Sequence, residues 1–101
     1  MYAVIFKAEI EEIDQAYSET AQRMRALAMN AYGCSEFVSC TEGKYEISIS
    51  YWPDKEQIRA WKNDPEHRQA QALGKSKWYK SYQVQVVEIL HQYGSGTSGP
   101  G

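Results

Sequence analysis

The feature that most constrains the fold is an abrupt change of hydrophobic period in the middle of the chain. From Tyr45 to Trp52 apolar and polar residues alternate, which is the pattern of a half-buried β-strand. Pro53 then interrupts the strand, and Asp54 with Gln57 three residues later forms a capping-box pattern that opens a helix. The chain is therefore predicted to leave a sheet and to place a helix directly against it.

Two short helices are predicted in this connection. The first is expected to end near Trp61 and to bury it. The second begins at Pro65 behind Asp64, because a proline loses nothing where the backbone N–H has no intrahelical partner, and Asp64 can cap that end. We expect this helix to run to about Leu73, with Gly74 closing it.

The remaining elements are one long helix and three more strands. Residues 14 to 31 carry apolar side chains at the spacing of an amphipathic helix, and Gly33 is expected to end it. The other predicted strands are Tyr2 to Glu9, Glu36 to Thr41 and Trp78 to His91. The order β-α-β-β-α-β predicts an α+β, ferredoxin-like fold, in which an antiparallel sheet carries the helices on one face.

The other face of such a sheet needs a cover. In the last strand the apolar positions Val84 and Val86 change phase at Val87 and Ile89, which indicates a bulge or burial on both faces. In so small a chain we expect the cover to be a second copy packed sheet to sheet, so the sequence predicts a homodimer.

The length and composition indicate one domain. Residues 1 to 93 are expected to form it, whereas residues 94 to 101 are rich in glycine and serine and read as a flexible, linker-like tail, with the composition of an artificial linker. The 11 Lys and Arg residues are outnumbered by 13 Asp and Glu residues and form no run, which argues against a nucleic-acid partner.

The N-terminal segment gives no sign of export. Residues 1 to 6 are apolar, but they lack a basic leader and are too short for a signal sequence or a membrane span, so we expect a cytoplasmic protein without a membrane partner. Cys34 and Cys40 fit that expectation, because on one extended strand they would lie about 20 Å apart, beyond disulfide reach. Two isolated thiols also predict no metal site.

Several segments together resemble a known superfamily. They are Ser50-Tyr51-Trp52, Trp61-Lys62-Asn63, Glu66-His67-Arg68-Gln69-Ala70-Gln71, Tyr82 and Tyr93-Gly94. In this order they resemble the antibiotic biosynthesis monooxygenase superfamily of dimeric α+β barrels, over nearly the whole chain except the tail. The resemblance implies a homodimer with a pocket between sheet and helices in each subunit. Members of that family oxidise polycyclic phenols or anthrones with O₂ and without metal or flavin, act on quinols, or degrade heme.

The heme-degrading branch of this family is matched poorly. It uses an Asn on the first strand, a Trp at the end of the helix after the third strand, and a proximal His ten residues beyond that Trp. Trp61 matches the Trp, but Gln71 occupies the His position and the first strand holds no Asn. We therefore expect no cofactor, and heme is disfavoured.

His67 is the predicted catalytic residue. An imidazole titrates near pH 6.5, so His67 is suited to take the proton of a phenol, which prepares the ring to pass an electron to O₂. The predicted substrate-binding residues are Trp61, Asn63, Gln71, Tyr51 and Tyr82. The competing interpretation is structural: a surface or capping histidine, amides that satisfy helix ends, and aromatic residues that pack.

Three function classes therefore remain open. The first is a cofactor-independent monooxygenase acting on a small aromatic, phenolic or quinone-like substrate, which the resemblance and His67 favour. The second is a heme-binding or heme-degrading protein of the same fold. The third is a non-catalytic dimer that binds a small apolar ligand, which would need the pocket and no base.

Overall fold

The computed structural model describes residues 1–95, so the predicted tail lies outside this range from residue 96 onward. The elements are β1 (Tyr2–Ile10), α1 (Gln15–Ala31), β2 (Glu36–Glu42), β3 (Tyr45–Trp52), α2 (Lys55–Lys62), α3 (Pro65–Leu73), a π-helical turn (Gly74–Trp78) and β4 (Tyr79–Glu88). The four strands form one sheet in the order β2-β3-β1-β4, and every neighbouring pair is antiparallel. The predicted α+β, ferredoxin-like fold is confirmed.

Aspartates open the helices as predicted. The side chain of Asp54 accepts the backbone N–H of Gln57 at 3.0 Å, and that of Asp64 accepts the N–H of Glu66 at 2.8 Å. Each bond satisfies one of the N–H groups that a helix start leaves without a partner. Gly33 follows the end of α1 with φ of 80°, a conformation that favours glycine.

The role predicted for Gly74 is wrong. Its φ and ψ are −58° and −48°, so it does not end α3 by a left-handed turn, and the chain continues through the π-helical turn. A Cβ at this position would lie 2.7 Å from Cε2 of Tyr79, so glycine is required here because the Tyr79 ring approaches the backbone. The last strand lies within the predicted segment Trp78 to His91 and runs from Tyr79 to Glu88, whereas Trp78 is buried in the turn.

The sheet presents its two faces very differently. On β3 the side that faces the helices carries the more polar residues, Glu46, Ser48, Ser50 and Trp52, and the outer side carries Tyr45, Ile47, Ile49 and Tyr51. The inner polar groups have partners. The hydroxyl of Tyr17 donates to Glu46, and the indole N–H of Trp52 donates to Oγ of Ser50 at 2.8 Å, which removes the cost of their burial.

The core lies between the helices and the middle of the sheet. Trp52 is fully buried at the end of β3, and its ring centroid lies 5.2 Å from that of Trp61 at the end of α2. Ala28 of α1 and Val4 of β1 belong to the same buried cluster. The two tryptophans therefore fix how the helical layer sits on the sheet.

The outer face of the sheet carries an uncovered apolar patch on β2 and β3, whereas β1 and β4 place Lys7, Gln83 and Gln85 on the same face. Val38 and Ile47 are each 43% exposed and Tyr45 is 60% exposed. Such a patch is typical of an interaction surface.

We predict that Gly74→Ala destabilises the protein by about 1 to 3 kcal/mol through the clash with Tyr79. Helix propensity alone would favour alanine by about 1 kcal/mol, so the sign of the change tests the close approach. Urea unfolding of Gly74→Ala, of Tyr79→Leu and of the double variant gives the coupling free energy between the two positions. A stabilising Gly74→Ala in the wild-type background would contradict this explanation, whereas in the Tyr79→Leu background it is expected to be neutral or stabilising.

Candidate functional site

His67 lies on the first turn of α3, against the core tryptophan of α2. The tight turn between α2 and α3 brings the two side chains together, because Asn63 caps the C-terminus of α2 and the next residue, Asp64, caps the N-terminus of α3. The ring centroids of His67 and Trp61 are 4.2 Å apart, with the planes at 70° to one another. The imidazole therefore rests on a core side chain and is only partly accessible to solvent.

Gln71 lies one helical turn after His67 and contacts its ring. The side-chain Nε2 of Gln71 is 2.7 Å from Nδ1 of His67 and 3.5 Å from the backbone carbonyl oxygen of Lys62. Residues four apart on a helix share a face, which explains why the two side chains meet. Among the six predicted site residues, the structure thus brings together Trp61, His67 and Gln71.

The surroundings of His67 disfavour its charged form. Burial lowers the pKa of His67, because desolvation penalises the imidazolium, and the charge of Lys62 lowers it further. The carboxylate of Asp64 acts in the opposite direction. The lower pKa favours the neutral imidazole at pH 7.

Helix α3 is held by polar contacts at its start. None of its side chains is fully buried. The hydroxyl of Tyr32 donates to Asp64 at 2.6 Å, and the guanidinium of Arg23 binds both carboxylate oxygens of Glu66 at 2.7 and 2.8 Å. These partners lower the pKa values of Asp64 and Glu66. The position of His67 therefore depends on hydrogen bonds between α1 and the first turn of α3.

The other three predicted site residues are not part of this group. Asn63 is exposed, and its Oδ1 accepts a 3.3 Å bond from Arg68. Tyr51 lies on the outer face of the sheet, because strand alternation gives the inner face to its neighbours in β3. Tyr82 lies on the inner face opposite Ala8, where its ring stacks on Phe6 at 6.2 Å.

A strip of β4 that faces the helices contains the predicted residue Tyr82 together with two valines that the sequence did not indicate as site residues. Strand pairing puts Tyr82, Val84 and Val86 on the same side as the helices, yet they are 43%, 48% and 52% exposed. The connection from β3 to β4 crosses this side of β1 and carries α2 and α3. The helical layer therefore leaves an apolar strip of β4 open. In the sequence, the alternation of Val84 and Val86 predicts that these side chains share one face of the strand. It does not indicate whether the helices cover that face of the sheet.

A second polar group on the inner face is unsuited to proton transfer near neutral pH. Tyr17 donates to Glu46, and its ring centroid lies 6.0 Å from that of Tyr79. Burial raises the pKa of Tyr79 to about 12 and raises that of Tyr17 as well. Both hydroxyls thus remain protonated donors.

Two surface depressions lie away from His67. An open groove of about 370 Å³ runs between α1 and α3, and its lining includes Arg23, Met24 and Leu73. Another, of about 470 Å³, lies beside Tyr32 and Gln57. Neither is lined by the group around His67, so the predicted pocket between sheet and helices stays a prediction.

Within residues 1–95, no group of three or more His, Cys, Asp or Glu side chains is arranged to hold a metal ion. In the same part of the chain, no helix combines the length and apolar character needed to cross a bilayer.

Solved structures with the same architecture define the class of fold. SnoaB, a cofactor-independent oxygenase from Streptomyces nogalater, aligns with a TM-score of 0.76 and 10% identity over 90% of this chain and 94% of its own. A putative antibiotic biosynthesis monooxygenase from Nitrosomonas europaea gives 0.74 and 12% identity over 90% and 100%. Rv0793 from Mycobacterium tuberculosis gives 0.78 and 14% identity over 92% and 98%. The chain has the antibiotic biosynthesis monooxygenase fold, as its sequence predicts.

Sequence comparison identifies the family within that fold class. No protein-family model matches the chain. An uncharacterized protein of Bacillus subtilis (strain 168), YqjZ, is 39% identical over 92 residues, which cover 90% of this chain and 81% of YqjZ. The chain belongs to the family of YqjZ.

The residues present do not fit a heme ligand set. At the position where the resemblance calls for a proximal histidine, the side chain of Gln71 is hydrogen-bonded to Nδ1 of His67. An amide is a poor axial ligand, so the position that the resemblance assigns to the proximal histidine does not fit heme.

The lowered pKa of His67 predicts a pH-dependent stability. The unfolded chain binds more protons than the folded one below the ordinary pKa of 6.5, so stability is complete above pH 6.5 and decreases as the pH falls. We expect the free energy of unfolding to fall as the pH is lowered from 6.5 towards 5, above the range where carboxylates titrate. Urea unfolding from pH 5 to 7.5 measures it. His67→Gln should remove this slope and His91→Gln should keep it. A wild-type slope of opposite sign would contradict the assignment.

Proposed function

We propose that this protein is a cofactor-independent monooxygenase that acts on a small aromatic, phenolic or quinone-like substrate. The observation that carries the proposal is the partly accessible imidazole of His67 held against Trp61, where burial lowers its pKa and so favours the neutral form. The fold shared with a cofactor-independent oxygenase supports the reaction class. Heme chemistry and simple ligand binding are the alternatives.

The proposed substrate site lies between α3 and the open strip of β4. The strip offers Val84 and Val86, and Phe6 lies beside Val84 on the same face. Apolar and aromatic surface with few polar groups suits a flat aromatic molecule, whose rings gain from leaving water. Trp61 beneath the imidazole packs on Phe37 of β2 and Trp52 of β3, so the proposed substrate covers the strip and extends across β1 to reach His67 with an oxygen atom.

The reaction needs no electron donor besides the substrate. When an anthrone methylene becomes a quinone carbonyl, the carbon loses two hydrogens and gains one oxygen atom, and the second oxygen atom leaves as water. All four electrons that O₂ accepts come from the substrate. Loss of the phenolic or enolic proton makes the ring electron-rich enough to start the transfer. The protein then has to bind the substrate, exclude water and stabilise its anion.

We further propose that two copies pack through the outer faces of their sheets. Val38, Tyr45 and Ile47 expose apolar surface there that a second copy would cover. At about 25 cal/mol per Å² of buried apolar area, such a contact stabilises a small domain substantially. The outer face also holds Tyr51, so its predicted role would be structural within the dimer.

Replacement of His67 tests the proposed reaction. If His67 contacts the reacting oxygen, His67→Ala should lower the turnover of a phenolic or anthrone substrate by about 10² to 10⁴, measured as O₂ consumption together with quinone formation. The other histidine supplies the control, since His91→Ala should retain full turnover. Equal rates for both variants and the wild type would contradict the assignment. Binding of the substrate without any turnover would favour the non-catalytic alternative.

A charge on the outer face tests the dimer. Ile47→Lys should convert a dimer into monomers, because a lysine ammonium on this face would be buried without a partner. Met29→Lys is the matched control, since Met29 is 40% exposed on α1 and should leave the assembly unchanged. Sedimentation velocity at micromolar concentration distinguishes the two states. A wild-type protein that stays monomeric there would contradict the proposal.

A further inference from the structure

We propose that Gln71 holds neutral His67 in the tautomer with its proton on Nε2, so that His67 offers an N–H donor to a substrate oxyanion. In this role Gln71 is a positioning residue, and the imidazole acts as a donor instead of the base expected from the sequence. The part of this inference that concerns the ligand rests on the proposed function, whereas the tautomer does not.

The orientation of the Gln71 amide carries the argument. Its Nε2 faces two groups, Nδ1 of His67 at 2.7 Å and the carbonyl oxygen of Lys62 at 3.5 Å. If the amide were turned over, its oxygen would face the Lys62 carbonyl oxygen, and two acceptors would meet without a proton between them. The amide N–H groups therefore point at both neighbours, and Nδ1 of His67 accepts.

The tautomer follows from the valence of the ring. A neutral imidazole carries one proton, so a ring whose Nδ1 accepts a hydrogen bond holds that proton on Nε2. Nε2 has no hydrogen-bond partner within residues 1–95. It is also not sealed from solvent, unlike the buried and unpartnered indole nitrogen of Trp78. The nitrogen that remains available to a ligand is thus the one that donates.

A donor at this position selects a particular kind of substrate. It stabilises negative charge on a phenolic or enolic oxygen and so lowers the pKa of the bound ligand. The O–H bond then breaks heterolytically, with the electron pair kept on the substrate oxygen and the proton released to solvent. We infer that the preferred ligands are acidic hydroxylated aromatics, such as phenols conjugated to a carbonyl or nitro group, that bind as anions.

The tautomer is measured directly by ¹⁵N NMR of the histidine side chains at pH 7.5, with His91 as the exposed reference. In the wild type we expect His67 to be protonated on Nε2. In Gln71→Glu the carboxylate accepts from Nδ1, so the proton should move there and the pKa of His67 should rise by about one unit or more. Gln71→Met keeps the length without the amide, and it should leave a mixture of tautomers. A wild-type His67 protonated mainly on Nδ1 would overturn the proposal.

The donor role is tested separately with 4-nitrophenol, whose anion is coloured. We expect wild-type protein to lower the apparent pKa of the bound probe by about one unit, and Gln71→Met, which no longer fixes the tautomer, to reduce that shift. If the wild type shows the Nε2 tautomer and leaves the ionisation of the probe unchanged, the donor role is wrong. If the probe ionises as expected but His67→Ala retains full turnover, the proposed reaction fails and the anion-binding role stands.

Discussion

The contact between Trp52 and Trp61 is the interaction on which the rest of the structure depends. Trp52 closes the central strand β3 and is fully buried, and Trp61 packs on it from the end of α2. Large aromatic side chains dominate the energetics of a core this small. Because the chain reverses immediately after Trp61, the same contact decides where α3 begins and where His67 lies.

The candidate site combines a rigid support with a lightly held helix. The support is the pair of tryptophans on the sheet. Helix α3, in contrast, buries none of its side chains completely, and its start is held by hydrogen bonds from Arg23 of α1 and from Tyr32, the residue that follows α1. Salt and pH act on such contacts more strongly than on apolar packing. The ring of His67 sits where these two kinds of interaction meet.

Much of the fold follows from local sequence signals. Aspartate caps, the alternation in β3 and the glycine after α1 each act over a few residues, and each is matched by the structure. Gly74 could not be interpreted correctly, because its cause is the ring of Tyr79, whose approach depends on the π-helical turn. Sequence alternation also does not tell which side of β3 faces the helices, and the inner side proves to be the more polar.

The candidate site was only partly predictable, because some of its contacts follow from local spacing and others depend on the whole sheet. Helical spacing brings His67 and Gln71 together, and the reversal before α3 brings His67 to Trp61. Strand parity, which is a property of the whole sheet, separates Tyr51 from them. The open strip with Val84 and Val86 depends on where the helical layer ends, and no local pattern encodes that.

The central claim is that a small aromatic ligand binds between α3 and the open strip of β4. An NMR titration of isotope-labelled wild-type protein with 2-naphthol tests it most directly, with amide, methyl and imidazole signals followed together. The account predicts saturable shifts at His67, Gln71, Val84 and Val86, with the methyl groups of Val38 on the outer sheet face unchanged. Shifts confined to the outer face, or to the groove between α1 and α3 around Met24, would contradict it.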